Sequence, residues 1–265
     1  MTASRIIAAV LCVASLLPAT LQAAEATLDL PVNSAYVWRG QVLNDEAVFQ
    51  PSMTVSAENG LSFNTWASFN LTDSLGNDLK NEFSEVDLTA SYAVPIKIVD
   101  LTVGAAEYLF PNQELITEND DGTTTHASVP STREAFVTVG KEDLILSPSA
   151  SVYYDFGQVN AFYGLVSISQ GYEATKELSL TATLSVGAGD SDYNKAYFGV
   201  DEAKLNDGNA KLAASYALTE AISINAFAMY TYLLDSSIRD AAKANDVYFN
   251  KGDILSGGAS LGYSF

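Results

Sequence analysis

The chain has 265 residues, 48% of them apolar, and a formal net charge of −19. So acidic a surface excludes nucleic acid as a partner, because phosphates need basic residues to neutralise them. Outside the N-terminus no uncharged apolar run reaches the ~18 residues of a spanning helix, which excludes a membrane protein built of helices.

Residues 1–24 read as a secretory signal. Arg5 is its positive start, residues 6–17 its apolar core, and the small residues around Ala23 and Ala24 its cleavage context. Cys12, the one cysteine, falls inside that core, so residues 25–265 carry no thiol for a disulfide, a nucleophile or a metal.

From Leu28 onward, alternating segments of roughly ten residues recur between turns, the pattern of a transmembrane barrel. Leu28, Leu30, Val32, Tyr36 and Trp38 share one face of the first segment, with Asp29, Asn33 and Arg39 on the other. Phe49, Met53 and Val55 follow, and Glu58-Asn59-Gly60 is a tight hairpin turn, since Asn-Gly tolerates positive φ. Leu61, Phe63, Ala67 and Phe69 alternate with Ser62, Asn64 and Ser68, which puts Trp66 on the polar side. Residues 72–81 are a polar loop, and Val86, Leu88, Ala90 and Tyr92 then alternate with Glu85, Asp87 and Thr89. In residues 101–110 the parity slips between Val103 and Tyr108, which a β-bulge near Gly104 would repair.

Residues 111–131 are expected to be a long polar loop. Ala135, Val137 and Val139 face away from Glu134, and Val152 and Tyr154 away from Asp155. Gly157 turns the chain into residues 159–168, and Leu178 to Val186 alternate with Ser and Thr. Residues 189–208 read as a long acidic loop and 235–253 as another, with strands through Leu212 and Tyr216 and through Ile222 to Tyr232 between them. The last strand, 254–265, turns Leu255, Ala259, Leu261, Tyr263 and Phe265 to one face and Ser256, Ser260 and Ser264 to the other. An apolar strand face ending in two aromatics suits a barrel whose outer surface meets lipid.

These segments sum to about twelve strands, an even number as single-chain barrels have. With both termini in the periplasm, the connections near Asn59, Lys97, Asp143, Ala174 and Glu220 fall on one side and are short, while those outside are mostly longer or more polar, the Gly157 turn being the one short outer connection. Trp38, Phe69, Tyr154, Phe156, Tyr230 and Tyr232 are expected in an outer aromatic girdle, and Tyr92, Tyr216, Tyr263 and Phe265 in an inner one. The fold expected is therefore an all-β, antiparallel up-and-down barrel in the bacterial outer membrane, bordered by lipid and lipopolysaccharide.

The motif Asn33-Ser-Ala-Tyr-Val-Trp-Arg-Gly40 resembles the opening of the TorF family of porin-like bacterial outer-membrane proteins. Gln50-Pro51, Gly60, Trp66 and Ser68, the strand Glu85-Val-Asp-Leu-Thr-Ala-Ser-Tyr92 and the terminal Tyr263-Ser-Phe265 are similar to the same family. After Gly40 the chain reads Gln41-Val-Leu43, where that family usually continues Ser-Gln-Thr. The resemblance implies a pore or membrane-scaffold role and names no substrate.

No catalytic, cofactor or metal site is expected. His126 stands among threonines beside Asp120 and Asp121, without the rigid serine and orienting acid of a triad or the fixed geometry of a metal site. What remains is the inward face, where Arg39, Glu85, Asp87, Glu134 and Asp155 are expected to line a pore near its outer end. The function expected is a channel for small cationic or neutral hydrophilic solutes, because carboxylate rings favour cations. The alternative is a non-conducting outer-membrane structural or adhesion barrel that acts through its acidic surface loops; the inward charges would separately read as cross-lumen salt bridges that fill a narrow lumen.

Overall fold

The structure is a computed structural model that describes residues 24–72, 79–118, 122–245 and 248–265. The expected secretory signal lies outside the described residues except for Ala24, and so do Asp120 and Asp121. The strands are β1 (Ala24–Asn33), β2 (Tyr36–Trp38), β3 (Gln41–Asn44), β4 (Val48–Phe49), β5 (Ser52–Ala57), β6 (Leu61–Asn70), β7 (Phe83–Val94) and β8 (Asp100–Leu109). Then come β9 (Glu114–Glu118), β10 (Thr124–Ser128), β11 (Thr132–Gly140), β12 (Ser149–Asp155), β13 (Phe162–Glu173), β14 (Leu178–Gly189), β15 (Lys204–Ala217), β16 (Ile222–Leu233) and β17 (Asp253–Ser264). Among the described residues two helices, α1 (Ser191–Phe198) and α2 (Ser236–Lys243), stand in the connections after β14 and β16.

Thirteen strand segments form one antiparallel sheet, and β17 pairs back onto β1 to close it. Because β4 and β5 are two parts of one wall strand, interrupted at Gln50 and Pro51, the closed barrel has twelve strands. Closure matters because an open edge leaves a row of unpaired amides. Turns at the end that carries the termini are short, as at Gly60, whose N–H donates to the Ala57 carbonyl at 3.0 Å. The opposite, far end carries the longer connections and both described helices, apart from the short turn over 156–161.

Cross-strand register divides the wall into two faces. The row Leu184, Ala210, Tyr230, Leu255 runs outward across β14 to β17, and the row Thr183, Lys211, Met229, Ser256 runs inward beside it. Outward leucines stay open, with Leu212 66% and Leu255 73% exposed, so no second layer of the described residues covers this face. The inward face is mostly Ser, Thr and Asn paired across strands, as in Ser149 to Ser167 at 2.8 Å and Asn64 to Thr54 at 2.8 Å.

The compact apolar core is small and sits at the far end. Tyr193 and Phe198 of α1 and Ile238 of α2 pack there against Leu233 and Tyr248. Asp190 caps α1 by accepting from the Tyr193 amide at 2.8 Å, and Asp235 caps α2 through the Ser237 amide at 2.8 Å. Burial of each large side chain contributes about 1.5–3 kcal/mol to holding the helices down.

Several expectations are corrected. Tyr36 and Trp38 do not continue the first wall strand. They leave it after Asn33 and form the small inward hairpin of β2 and β3, so Trp38 lies inside the barrel and not in an outer girdle. No bulge occurs at Gly104: the β8 ladder runs without a shift against β7 and β11. Tyr108 points inward, and the charged residue beside it, Glu107, points outward, where Arg133 meets it at 2.9 Å. Gly104 is needed for a different reason, since the Phe136 ring lies where its Cβ would be. Register shifts occur instead between Ser68 and Phe69 and between Val186 and Ala188. The loop expected over 111–131 holds the hairpin of β9 and β10, and that over 189–208 holds α1 and the start of β15. The loop over 235–253 holds α2.

Candidate lumen site

The site is built on the β2–β3 hairpin. Arg39 and Gly40 are its two turn residues, with φ of 48° and 81°, and Trp38 pairs with Gln41 across them. Positive φ at both central positions is what a two-residue I′ hairpin requires, and glycine meets it without strain. A Cβ on Gly40 would lie 2.6 Å from Leu233 Cδ2 and 2.8 Å from Asp207 Cβ. The hairpin tip therefore rests on the wall at β15 and β16, and only glycine lets it come that close.

Arg39 is held on all sides. Its Nη1 and Nη2 donate to Glu134 Oε1 and Oε2, each at 2.7 Å. The guanidinium carbon lies 4.4 Å from the centroids of Trp38 and Tyr153 and 4.5 Å from that of Tyr163. Burial is the largest influence and works against the charge, but the hydrogen bonds to Glu134 together with the charge interactions with Tyr193, Glu134 and Tyr108 hold the guanidinium above its ordinary value. Tyr108 adds a third donor to Glu134, at 2.7 Å.

The other acids singled out from the sequence also face inward. Glu85 accepts from the Tyr36 hydroxyl at 3.0 Å. Asp87, two residues further along β7 on the same face, has a buried Oδ1 with no hydrogen-bond partner. Asp155 accepts from Thr132 Oγ1 at 2.6 Å and from the amides of Gly157 and Val159 at 2.8 and 3.1 Å, so it anchors the turn between β12 and β13. Of the five, Arg39 and Glu134 are brought together as an ion pair, and Glu85 and Asp87 as neighbours that share a side-chain hydrogen bond.

Sequence reasoning missed the far wall of the site. Tyr163 donates to Asp207 Oδ1 at 2.7 Å, and Asn209 to Asp207 Oδ2 at 2.8 Å. Below the hairpin, Lys211 points inward with its Nζ 4.8 Å from the Phe227 ring, and it makes no ion pair among the described residues. The alternation of Asp207, Asn209 and Lys211 with Gly208, Ala210 and Leu212 was the available signal. At the far end Gln41 donates to the Tyr193 hydroxyl at 3.1 Å, and the Tyr248 hydroxyl lies 3.0 Å from Gln41 Oε1. Burial holds both phenols above their ordinary value, so they remain neutral partners.

Between hairpin and wall lies a cavity of about 230 Å³. Its lining includes Tyr36, Trp38, Tyr108, Tyr197, Glu85 and Gln113. His126 is far from it in kind: it sits on β10 with Nδ1 2.8 Å from Glu114 Oε2, both side chains more than half exposed. Among the described residues no three His, Cys, Asp or Glu side chains are grouped to hold a metal.

The family described as bacterial protein of unknown function (Gcw_chp) matches residues 20–245. The chain belongs to that family. No curated protein matches it. Among solved structures it is similar to the KdgM porin in complex with disordered oligogalacturonate, at 8% identity and a TM-score of 0.51, over 91% of this chain and 99% of that one. It is also similar to the NanC porin, at 12% identity and a TM-score of 0.51, over 90% of this chain and 98% of that one. At these identities the likeness is one of fold. The Gcw_chp match includes the whole hairpin and its cage and stops short of Tyr248, which completes the packing over Gln41.

Proposed function

We propose that this Gcw_chp protein is a bacterial outer-membrane channel for small hydrophilic solutes, cationic or neutral. The observation that carries the proposal is the division of the closed wall into an uncovered apolar outer face and a hydroxyl- and amide-lined inner one. Outward aromatics such as Tyr154, stacked on Phe162 at 4.5 Å, and Tyr263, beside Phe265 at 4.6 Å, suit the two membrane interfaces. In this reading lipid and lipopolysaccharide surround the outer face, a secretory leader precedes it, and both termini lie in the periplasm. The resemblance to TorF proteins agrees with it.

Charge supports the solute class. Asp29, Glu85, Asp87, Glu134, Asp155 and Asp207 face inward against Arg39 and Lys211. Carboxylates in a low-dielectric pore raise the local cation concentration. The oligogalacturonate in the KdgM complex is a polyanion, and an inner face this acidic argues for a different charge class here. Reconstitution in a planar bilayer under a salt gradient tests the proposal. Cation-selective steps are expected, and an anion-selective reversal potential or a silent bilayer overturns it.

A second reading rests on the far-end core. The apolar contacts of α1 and α2 with Leu233 and Tyr248 favour a barrel that is stopped at this end and acts through its acidic connections. Deleting residues 120–127 separates the two: a binding barrel loses its partner, while a channel keeps its conductance.

A further inference from the structure

We infer that the cavity between the β2–β3 hairpin and the wall is a binding site for a small organic ammonium ion. The inference deepens the cation reading above and takes its charge sign from it, but it does not depend on conduction.

Size sets the first limit. At about 230 Å³ the cavity has room for about seven waters at ~30 Å³ each, and it falls just below the ~300 Å³ at which pockets for drug-sized ligands begin. It fits one small ion and not an oligomer. The walls set the second. Rings of Tyr36, Trp38, Tyr108 and Tyr197 line it together with the carboxyls of Glu85 and Glu134, and no Lys, Arg or His is among the described lining residues. Aromatic faces attract cations through their quadrupole, and more strongly where water is excluded.

The lumen supplies its own precedent. Across the shared Trp38 indole, Arg39 rests against three aromatic rings and one carboxylate. The cavity repeats this chemistry without a resident cation. Glu134 already accepts three hydrogen bonds, from Arg39 and Tyr108, and Asp155, the third carboxyl of the lining, accepts three from Thr132, Gly157 and Val159. Glu85 is only 5% exposed, accepts from the Tyr36 hydroxyl and shares a hydrogen bond with the side chain of Asp87, whose Oδ1 keeps no partner. Glu85 is therefore the carboxylate left to receive the ammonium group, with Asp87 behind it.

The chain has two tryptophans, and both face inward: Trp38 on the cavity wall and Trp66 beside Tyr36 at 5.3 Å. In a Trp66→Phe variant, Trp38 becomes the only tryptophan reporter. Titrating folded barrel in detergent with choline chloride, against sodium chloride at equal ionic strength, should give a saturable change in its emission. The neutral isostere 3,3-dimethylbutan-1-ol should give none. Glu85→Gln should weaken choline about tenfold or more. The absence of a saturable change, or an equal response to the isostere, overturns the site whatever the variants do. Unchanged affinity in both Glu85→Gln and Asp87→Asn, in protein that keeps its unheated gel mobility, removes the carboxylates from it. Choline binding in a barrel that is silent in bilayers refutes conduction alone. Cation-selective conduction without choline binding refutes the site alone.

Discussion

Arg39 and Glu134 are joined at two points, 2.7 Å each, across 95 positions of sequence. Their side chains are 9% and 5% exposed, so each would be stranded without the other. Removing one partner of a buried pair costs about 3–5 kcal/mol, while replacing both with apolar groups often costs little. Glu134→Ala is therefore expected to unfold at markedly lower urea in lipid vesicles, with tryptophan emission as the readout. Arg39→Met with Glu134→Leu should recover most of the loss. A double variant no more stable than Glu134→Ala would show that the charge pair is not what matters there.

Gly40→Ala should loosen the hairpin. The substitution forces a side chain into positive φ and against Leu233 and Asp207, a cost of about 1–3 kcal/mol from the backbone alone. Hydrogen exchange should speed up at Val37 and Val42, which pair across the turn, while the wall ladder of β15 and β16 keeps its protection. Uniform loss of protection would place the strain elsewhere.

Asn194 and Asn206 tie α1 to the barrel. Asn206 Nδ2 donates to Asn194 Oδ1 at 2.8 Å, and Asn194 Nδ2 reaches the Gly189 and Glu202 carbonyls at 3.1 and 2.8 Å. Both residues are fully buried. Asn194→Ala leaves buried acceptors and a donor without partners, at about 1–3 kcal/mol each. Trypsin should then cut after Lys195 in the folded barrel faster than in the wild type. Equal cutting rates would mean that the apolar core alone holds the helix.

Lys211 is the inward cation below the hairpin that lacks an acidic partner among the described residues. Lys211→Gln should make the reversal potential more cation-selective at low salt. The difference should shrink toward 1 M salt, where the screening length is about 3 Å. A variant indistinguishable from the wild type at low salt would take Lys211 out of the permeation path.

Long strands were legible from the sequence because period-2 alternation persists over ten or more residues in β7, β14 and β16. Glu85, Asp87, Glu134 and Asp155 follow from that parity, and their inward orientation needs no other information. The β2–β3 hairpin was not legible, because strands of three and four residues carry too little pattern. Its sign was the pair Arg39-Gly40, read as the end of a wall strand and not as a turn. α1 hid within an acidic stretch, marked only by Asp190 before it and Gly199 after it. Tyr108 was misjudged because Glu107 was not expected on the outer face, and its partner Arg133 lies in the next wall strand, β11. Such pairings depend on register, which a single segment does not carry.

The seam between β1 and β17 also governs how the barrel comes to be. It pairs Thr27 with Ser264 and Asn33 with Gly258, residues from opposite ends of the chain. The entropy of closing so long a loop must be met before the ladder returns anything, and contacts this distant in sequence make folding slow. Until β17 is in place, β1 and β16 each stand with an open edge, ready to pair with any other chain. Assembly is thus a race between closure and aggregation, and a chaperone that shields those two edges would change its outcome more than one that acts anywhere else on the wall.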